Sequence, residues 1–195
     1  MEGLRMSAYR TFDWPLLKQH GRACILCWLF CLPWLWLLPG GTARLAGAVL
    51  AGFLSVLAVF DAHYGLLYDR ILLPLAVIGL VLEALGFLEA GWADSCLAAG
   101  TAGLFFCLLR FSSGGGVGWG DIKLAAAIGI WLGIRGTAAA VALAIVLGGL
   151  AACIMLTRGY EGKDALPFGP FLSVGAYAAY ILGDSLWNWY WEMLL

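Results

Sequence analysis

Five ionisable residues stand out against an apolar chain: Asp61, His63, Asp69, Asp121 and Lys123. Asp61 and Asp121 form the candidate pair, because both fall at the same-side ends of apolar segments that can be neighbours. Two carboxylates in one recess cannot both ionise freely, so one keeps a proton while the other acts as a base. That is acid–base chemistry. A lone aspartate at a helix end is more often a plain loop residue, and His63 is more often solvated than a ligand. A metal site built from Asp61, His63, Asp69 and Asp121 has no ligand spacing to support it, and none is expected.

Asp121 follows the run "GGGVGWG" and opens the apolar stretch "DIKLAAAIGIWLG". The run lacks the strand and downstream acid of a dinucleotide-binding turn, and it has Gly120-Asp121 where a phosphate-binding loop needs Gly-Lys-Ser/Thr. It reads either as a flexible loop or as glycines that let another backbone approach Asp121. Lys123 is too close in sequence to share a helix face with Asp121. Fourteen residues lie from Asp121 to Arg135, about 21 Å of helix, against a hydrocarbon core about 30 Å thick. Either the bilayer thins locally or Asp121 lies below the surface in a wetted recess. An intramembrane carboxylate is costly and is usually functional or paired.

The elements that position these residues are spans. The 195 residues are 63% hydrophobic and 12% charged with a mean hydropathy of +0.92, which marks an all-α, polytopic integral membrane protein. Apolar segments run from about Ala23 to Leu38, Arg44 to Phe60, Ile71 to Leu88, Ser95 to Leu109, Ile122 to Ile134, Ala138 to Leu156 and Leu166 to Leu186, giving about seven spans. Nine basic residues (Arg5, Arg10, Lys18, Arg22, Arg70, Arg110, Lys123, Arg158, Lys163) fall on one side of that arrangement and two (Arg44, Arg135) on the other, so the N-terminus is expected in the cytoplasm. Trp34, Trp36, Trp92, Trp131 and the tryptophans of "WNWYW" (Trp187 to Trp191) are expected at the outer interface. Glu83, Glu89 and Asp94 belong to that outer half. The net charge of -1 and dispersed basic residues exclude a nucleic-acid partner. Cys24, Cys27 and Cys31 share one face of the first span with no second CxxC pair, so packing is expected rather than zinc or a disulfide.

Three stretches carry a family resemblance: "FDAHYGLLYD" (Phe60 to Asp69), "GWGDIKLAAAIGIWLG" (Gly118 to Gly133) and "LPFGPFLSVGA" (Leu166 to Ala176). Together and in this order they resemble the type IV prepilin peptidases, GxGD-type membrane aspartyl proteases. The resemblance implies that Asp61 and Asp121 are catalytic, and that Asp69, Gly118, Gly120, Lys123, Pro167, Gly169 and Pro170 support them or the substrate. It implies as substrate the basic, glycine-terminated leader of a prepilin or pseudopilin, cut at the cytoplasmic face of a bacterial inner membrane, with no metal or organic cofactor. Where the family has Pro-Asp this chain has Tyr68-Asp69, which is similar to the Tyr-Asp of presenilin-like proteases. Full-length bacterial members carry a cytoplasmic insert with paired CxxC motifs associated with methylation of the new N-terminus. This sequence shows no such insert, and methyltransferase activity is not expected.

The expected organisation is an N-terminal cytoplasmic segment with the first span over residues 1–43 and a peptidase-like membrane domain over 44–195. Two other classes compete: a transporter or channel subunit that uses its intramembrane carboxylates, and a structural family member without activity. A transporter would need acids near the bilayer midplane and polar residues continuing to the far side.

Overall fold

The computed structural model describes residues 14–158 and 167–194. Arg5, Arg10, Lys163 and Leu166 lie outside the described residues, and of Lys18 and the tryptophans 187, 189 and 191 only the backbone is described. Among the described residues every regular element is helical. In chain order these are α1 (Trp14–Cys31), a 3-10 turn (Leu32–Leu37), α2 (Gly41–Tyr64), α3 (Asp69–Ala84), α4 (Trp92–Ser112), α5 (Trp119–Thr157) and α6 (Gly169–Leu194). Four helical stretches are long and apolar enough to cross a membrane: Gln19–Leu37, Gly41–Tyr64, Trp92–Ser112 and Trp119–Thr157, with Gly169–Gly183 shorter. The exterior agrees with a lipid solvent, since Leu26, Phe30, Leu73, Leu104 and Leu150 are all more than half exposed.

α5 covers two of the expected segments in one run of 39 residues, and its backbone leaves the helical region at Gly133, with φ 65° and ψ -174°. This is a reversal. α4 runs antiparallel to the first arm: a methyl on Gly103 would meet Ala126, one on Gly129 would meet Ala99, and one on Gly133 would meet Asp94. One turn beyond Gly103, Phe106 meets Phe168 with ring centroids 5.8 Å apart, and Phe168 in turn packs against Gly148 on the second arm. Gly148 therefore lies level with the start of α5, whereas a straight helix would carry it about 40 Å from Asp121. Asp94 secures the turn by accepting a hydrogen bond from the Ile134 amide at 3.1 Å.

Folding back makes α5 the centre of the bundle, with α3 and α4 on its first arm and α6 on its second. Small residues set the spacing at its contacts. A methyl on Gly129 would lie 2.5 Å from the Ala99 nitrogen, and one on Gly175 of α6 would lie 2.3 Å from the Ala140 oxygen. Such close backbone approach is how apolar helices gain packing contact where no hydrophobic force drives them together. α2 lies antiparallel to both α1 and α6. Its buried face carries Ala46, Leu50, Leu54, Leu57 and, in its last turn, Asp61. The core joins this face to Leu72, Leu75, Leu124, Ile128 and Leu172.

Two expectations change. Trp131 is buried at 2% exposure and donates its indole N–H to the Leu75 carbonyl at 2.9 Å, so it is a core residue on the first arm rather than an interfacial one. Trp34, Trp36 and Trp92 are exposed, and Trp36 stacks on Arg44. Cys24 is buried while Cys27 and Cys31 are not, and all three are free thiols.

Candidate active site

Asp61 sits one turn before the end of α2. The helix stops there because Gly65 adopts a left-handed conformation, φ 61°, and returns its N–H to the Asp61 carbonyl at 2.8 Å. The loop then passes Leu67 and Tyr68 and starts α3 at Asp69. The Asp61 side chain is 5% exposed, and its Oδ2 accepts a hydrogen bond from the Gly169 amide at 2.8 Å. Gly169 is itself buried and opens α6. A methyl on it would lie 2.6 Å from Asp61 Oδ2 and 2.9 Å from Cγ, so a residue without a side chain is required for this bond. Pro167 and Pro170 flank it, half-buried. Proline in a first helical turn costs nothing, because the N–H it lacks would be unpaired there anyway.

Asp121 occupies the first turn of α5 and is 9% exposed. Its Oδ2 reaches back to the Gly118 amide at 3.1 Å, satisfying one of the free N–H groups at the helix start. Its Oδ1 is buried with no hydrogen-bond partner. Asp61 lies near enough for the two carboxylates to interact electrostatically. The fold thus brings together the two carboxylates singled out in the sequence, from opposite helix ends, and fixes one oxygen of each on a backbone amide.

The glycine run divides its labour. Gly114 and Gly115, at φ 61° and 99°, carry the chain out of α4. Arg110 spans the loop, donating to the Val117 carbonyl and stacking over the Trp119 ring at 4.8 Å. What comes close to Gly120 is Leu67, whose Cβ would lie 2.6 Å from an added methyl. That contact locks the α2–α3 loop against the start of α5.

Asp69 and Lys123 stand outside the buried pair. They pair with each other, Nζ lying 2.7 Å from both carboxylate oxygens, on side chains 63% and 51% exposed. Sequence reasoning selected both residues but missed the bond between them, for which the only signal was opposite charge on one face. It also missed His20 of α1. His20 bonds the Tyr64 hydroxyl at 2.8 Å and packs 4.5 Å from the His63 ring, while His63 Nδ1 bonds the Val59 carbonyl. These interactions hold α1 against the turn that carries Asp61. Glu83, Glu89 and Asp94 lie apart from the pair, Asp94 at the Gly133 reversal.

Comparison with known proteins gives one consistent result. The profile of the type IV leader peptidase family matches residues 48–153, a span that includes Asp61 and Asp121 and ends before Gly169. A Bacillus subtilis protein named prepilin leader peptidase/N-methyltransferase is 35% identical over 151 residues, covering 75% of this chain and 59% of that protein. A protein of the same name from Aeromonas hydrophila is 32% identical, covering 78% of this chain and 54% of its own length. One from Xanthomonas campestris is 28% identical over 90% of this chain and 63% of its own length. The chain therefore spans somewhat more than half the length of these relatives. No solved structure matches. With more than half of its residues matched by the family profile, and both buried carboxylates inside the match, the chain belongs to the type IV leader peptidase family.

Proposed function

We propose that this protein is a membrane-embedded aspartyl endopeptidase that removes the basic leader of type IV prepilins or pseudopilins. The observation that carries the reading is the pair of buried carboxylates, Asp61 and Asp121, converging from two helix ends with one oxygen of each held by a glycine amide. In the proposed reaction the ionised member takes a proton from water as that water attacks the scissile carbonyl. The protonated member donates to the carbonyl oxygen, and the tetrahedral intermediate collapses with release of the amine. The pair titrates as a unit, so the proton belongs to the dyad rather than to one residue. With Oδ2 of each committed to a backbone donor, Oδ1 of Asp121 is the buried oxygen that has no protein partner, and in the proposed reaction the water or the substrate carbonyl, once inside the recess, supplies that partner. Peptide hydrolysis is the half of the relatives' name that two carboxylates can serve without a metal or organic cofactor.

In the proposed arrangement about seven helical arms cross the bacterial inner membrane, counting the two arms of α5 separately, with the N-terminus and the dyad on the cytoplasmic side. The Lys123–Asp69 pair and Arg110 then mark the aqueous rim, where a basic leader would arrive. The test is cleavage by the purified protein, in lipid, of a prepilin-type peptide with a basic leader ending in glycine. Cleavage after that glycine is expected from the wild type and from neither Asp61→Asn nor Asp121→Asn; a wild-type protein that leaves the peptide intact overturns the reading.

A further inference from the structure

A cavity of about 620 Å³ opens at the end of the bundle opposite the carboxylate pair. Ala43 lines it at the start of α2, and Asp61 lies eighteen residues further along that helix, about 27 Å away. The hydrocarbon core of a bilayer is about 30 Å thick, so the cavity and the pair belong to opposite interfaces. The end of the 3-10 turn, the α3–α4 loop, the reversal of α5 and the part of α6 before Gly183 close around it. Trp36 and Trp92, both exposed, stand beside its lining residues Leu37 and Asp94, as indole rings do at the edge of a bilayer.

The walls are of two kinds. Leu38, Leu88, Trp131 and Ala179 make an apolar, buried floor, while Leu37 and Leu182 are exposed on its flank. The charged lining residues among those described are Glu89, Asp94 and Arg135, of which Glu89 and Arg135 are exposed at the mouth. Asp94 gives Oδ2 to the Ile134 amide, and a carboxylate keeps further acceptor sites beyond one such bond. Glu89 lies near enough to the Tyr180 hydroxyl of α6 for the two to interact electrostatically.

That combination selects among ligands. A lone metal cation would be repelled by the guanidinium, and a lone anion by two carboxylates. A neutral apolar molecule would cover the charges without pairing them, which costs free energy. A molecule with an anionic group, an ammonium and an apolar body satisfies every part of the lining.

We infer that the cavity holds one phospholipid with an ethanolamine headgroup. Its phosphate lies on Arg135, its ammonium between Glu89 and Asp94, and its acyl chains leave past Leu37 and Leu182 into the bilayer. A guanidinium fork matches phosphate geometry, and an ammonium brings three N–H donors to two carboxylates. The lipid ties the α3–α4 loop to the reversal of α5 and to α6, so it clamps the end of the bundle remote from the chemistry. The inference stands apart from the peptidase reading and needs no substrate.

The experiment titrates the full chain, purified in detergent and stripped of lipid, with phospholipids of identical acyl chains whose headgroups are ethanolamine, choline or glycerol. Bound lipid is counted by native mass spectrometry beside a melting curve. One ethanolamine lipid should bind and raise the melting temperature. The choline lipid has no N–H to donate and the glycerol lipid no cation, so each should bind about tenfold more weakly or worse. Equal binding of all three overturns the inference. Soluble glycerophosphoethanolamine should bind far more weakly than the intact lipid; equal affinity would make the ligand a free small molecule and overturn it too. Glu89→Gln, at an exposed position, should lose most of the preference for ethanolamine over choline while its lipid-free melting curve stays close to wild type. Arg135→Gln should weaken all three lipids. If that second variant fails to fold, Glu89→Gln decides alone, and an unchanged preference there overturns the proposal.

Discussion

Replacing Gly169 by alanine perturbs the dyad by one methyl group. That carbon would stand 2.6 Å from Asp61 Oδ2, and reaching an ordinary contact of 3.4 Å requires the two to part by about 0.8 Å. The Gly169 amide moves with its Cα, so its 2.8 Å bond to Oδ2 stretches to roughly 3.6 Å, beyond hydrogen-bond range. Losing a bond to a charged acceptor costs about 1.5–3 kcal/mol, and misplacing a reacting group by about 1 Å costs roughly a hundredfold in rate. A fall in kcat of about ten- to a hundredfold is therefore expected, with KM little changed because the substrate contacts are untouched. Gly175→Ala is the control. Its methyl would lie 2.3 Å from the Ala140 carbonyl, on the same helix but away from the carboxylates. It should lower thermal stability by a comparable overpacking cost, about 1–3 kcal/mol, while the folded fraction keeps its turnover. The assay is leader cleavage under single-turnover conditions beside a detergent melting curve for each variant. Gly169→Ala protein that cleaves within twofold of wild type would refute the claim that this amide positions Asp61, as would equal losses of kcat in both variants.

Other outcomes follow from the same geometry. The double variant Asp61→Asn with Asp121→Asn should be scarcely slower than either single one, since the two groups act as a unit; additive losses in residual rate would argue for separate roles. Asp69→Asn and Lys123→Met each break an exposed ion pair worth under about 1 kcal/mol, so each should retain most of its cleavage activity, and a dead Asp69→Asn would move the site toward the rim. Gly133→Ala forces a side chain into a left-handed backbone and 2.1 Å from Asp94 Oδ2, and its melting curve should show a loss of at least about 2 kcal/mol. Reporter fusions after Gly40 and Gly91 should read as external and one after Ser113 as cytoplasmic; a cytoplasmic Gly91 would overturn the orientation.

Much of the bundle is legible from hydropathy, because in lipid an apolar run of sufficient length has to be helical to satisfy its own backbone. The pairing of Asp61 with Asp121 is legible for a related reason: charged residues are rare in this chain, and these two fall at the same end of spans that can be neighbours. Less could be read where the cause is a contact rather than a composition. Nothing in "WLGIRG" distinguishes two spans with a loop from the tight reversal at Gly133, since that depends on Asp94 being delivered by another helix. Trp131 matches the pattern of an interfacial tryptophan, yet the Leu75 carbonyl holds it in the core. Gly169 could be found only through its motif, because its importance lies in what a methyl group would strike.

The reversal at Gly133 also bears on how the protein reaches its membrane. In the proposed arrangement the first arm of α5 is too short to span a full bilayer alone, and the second arm begins one residue after the turn. The two arms would then enter together as a single hairpin rather than one after the other. The direction of α6 depends on that event: were the second arm left outside, α6 would insert upside down and Gly169 would emerge on the face opposite Asp61. Under that view the glycine in the outer half acts during biogenesis as a topological determinant, deciding before any peptide is bound whether the two aspartates acquire the amide that completes their site.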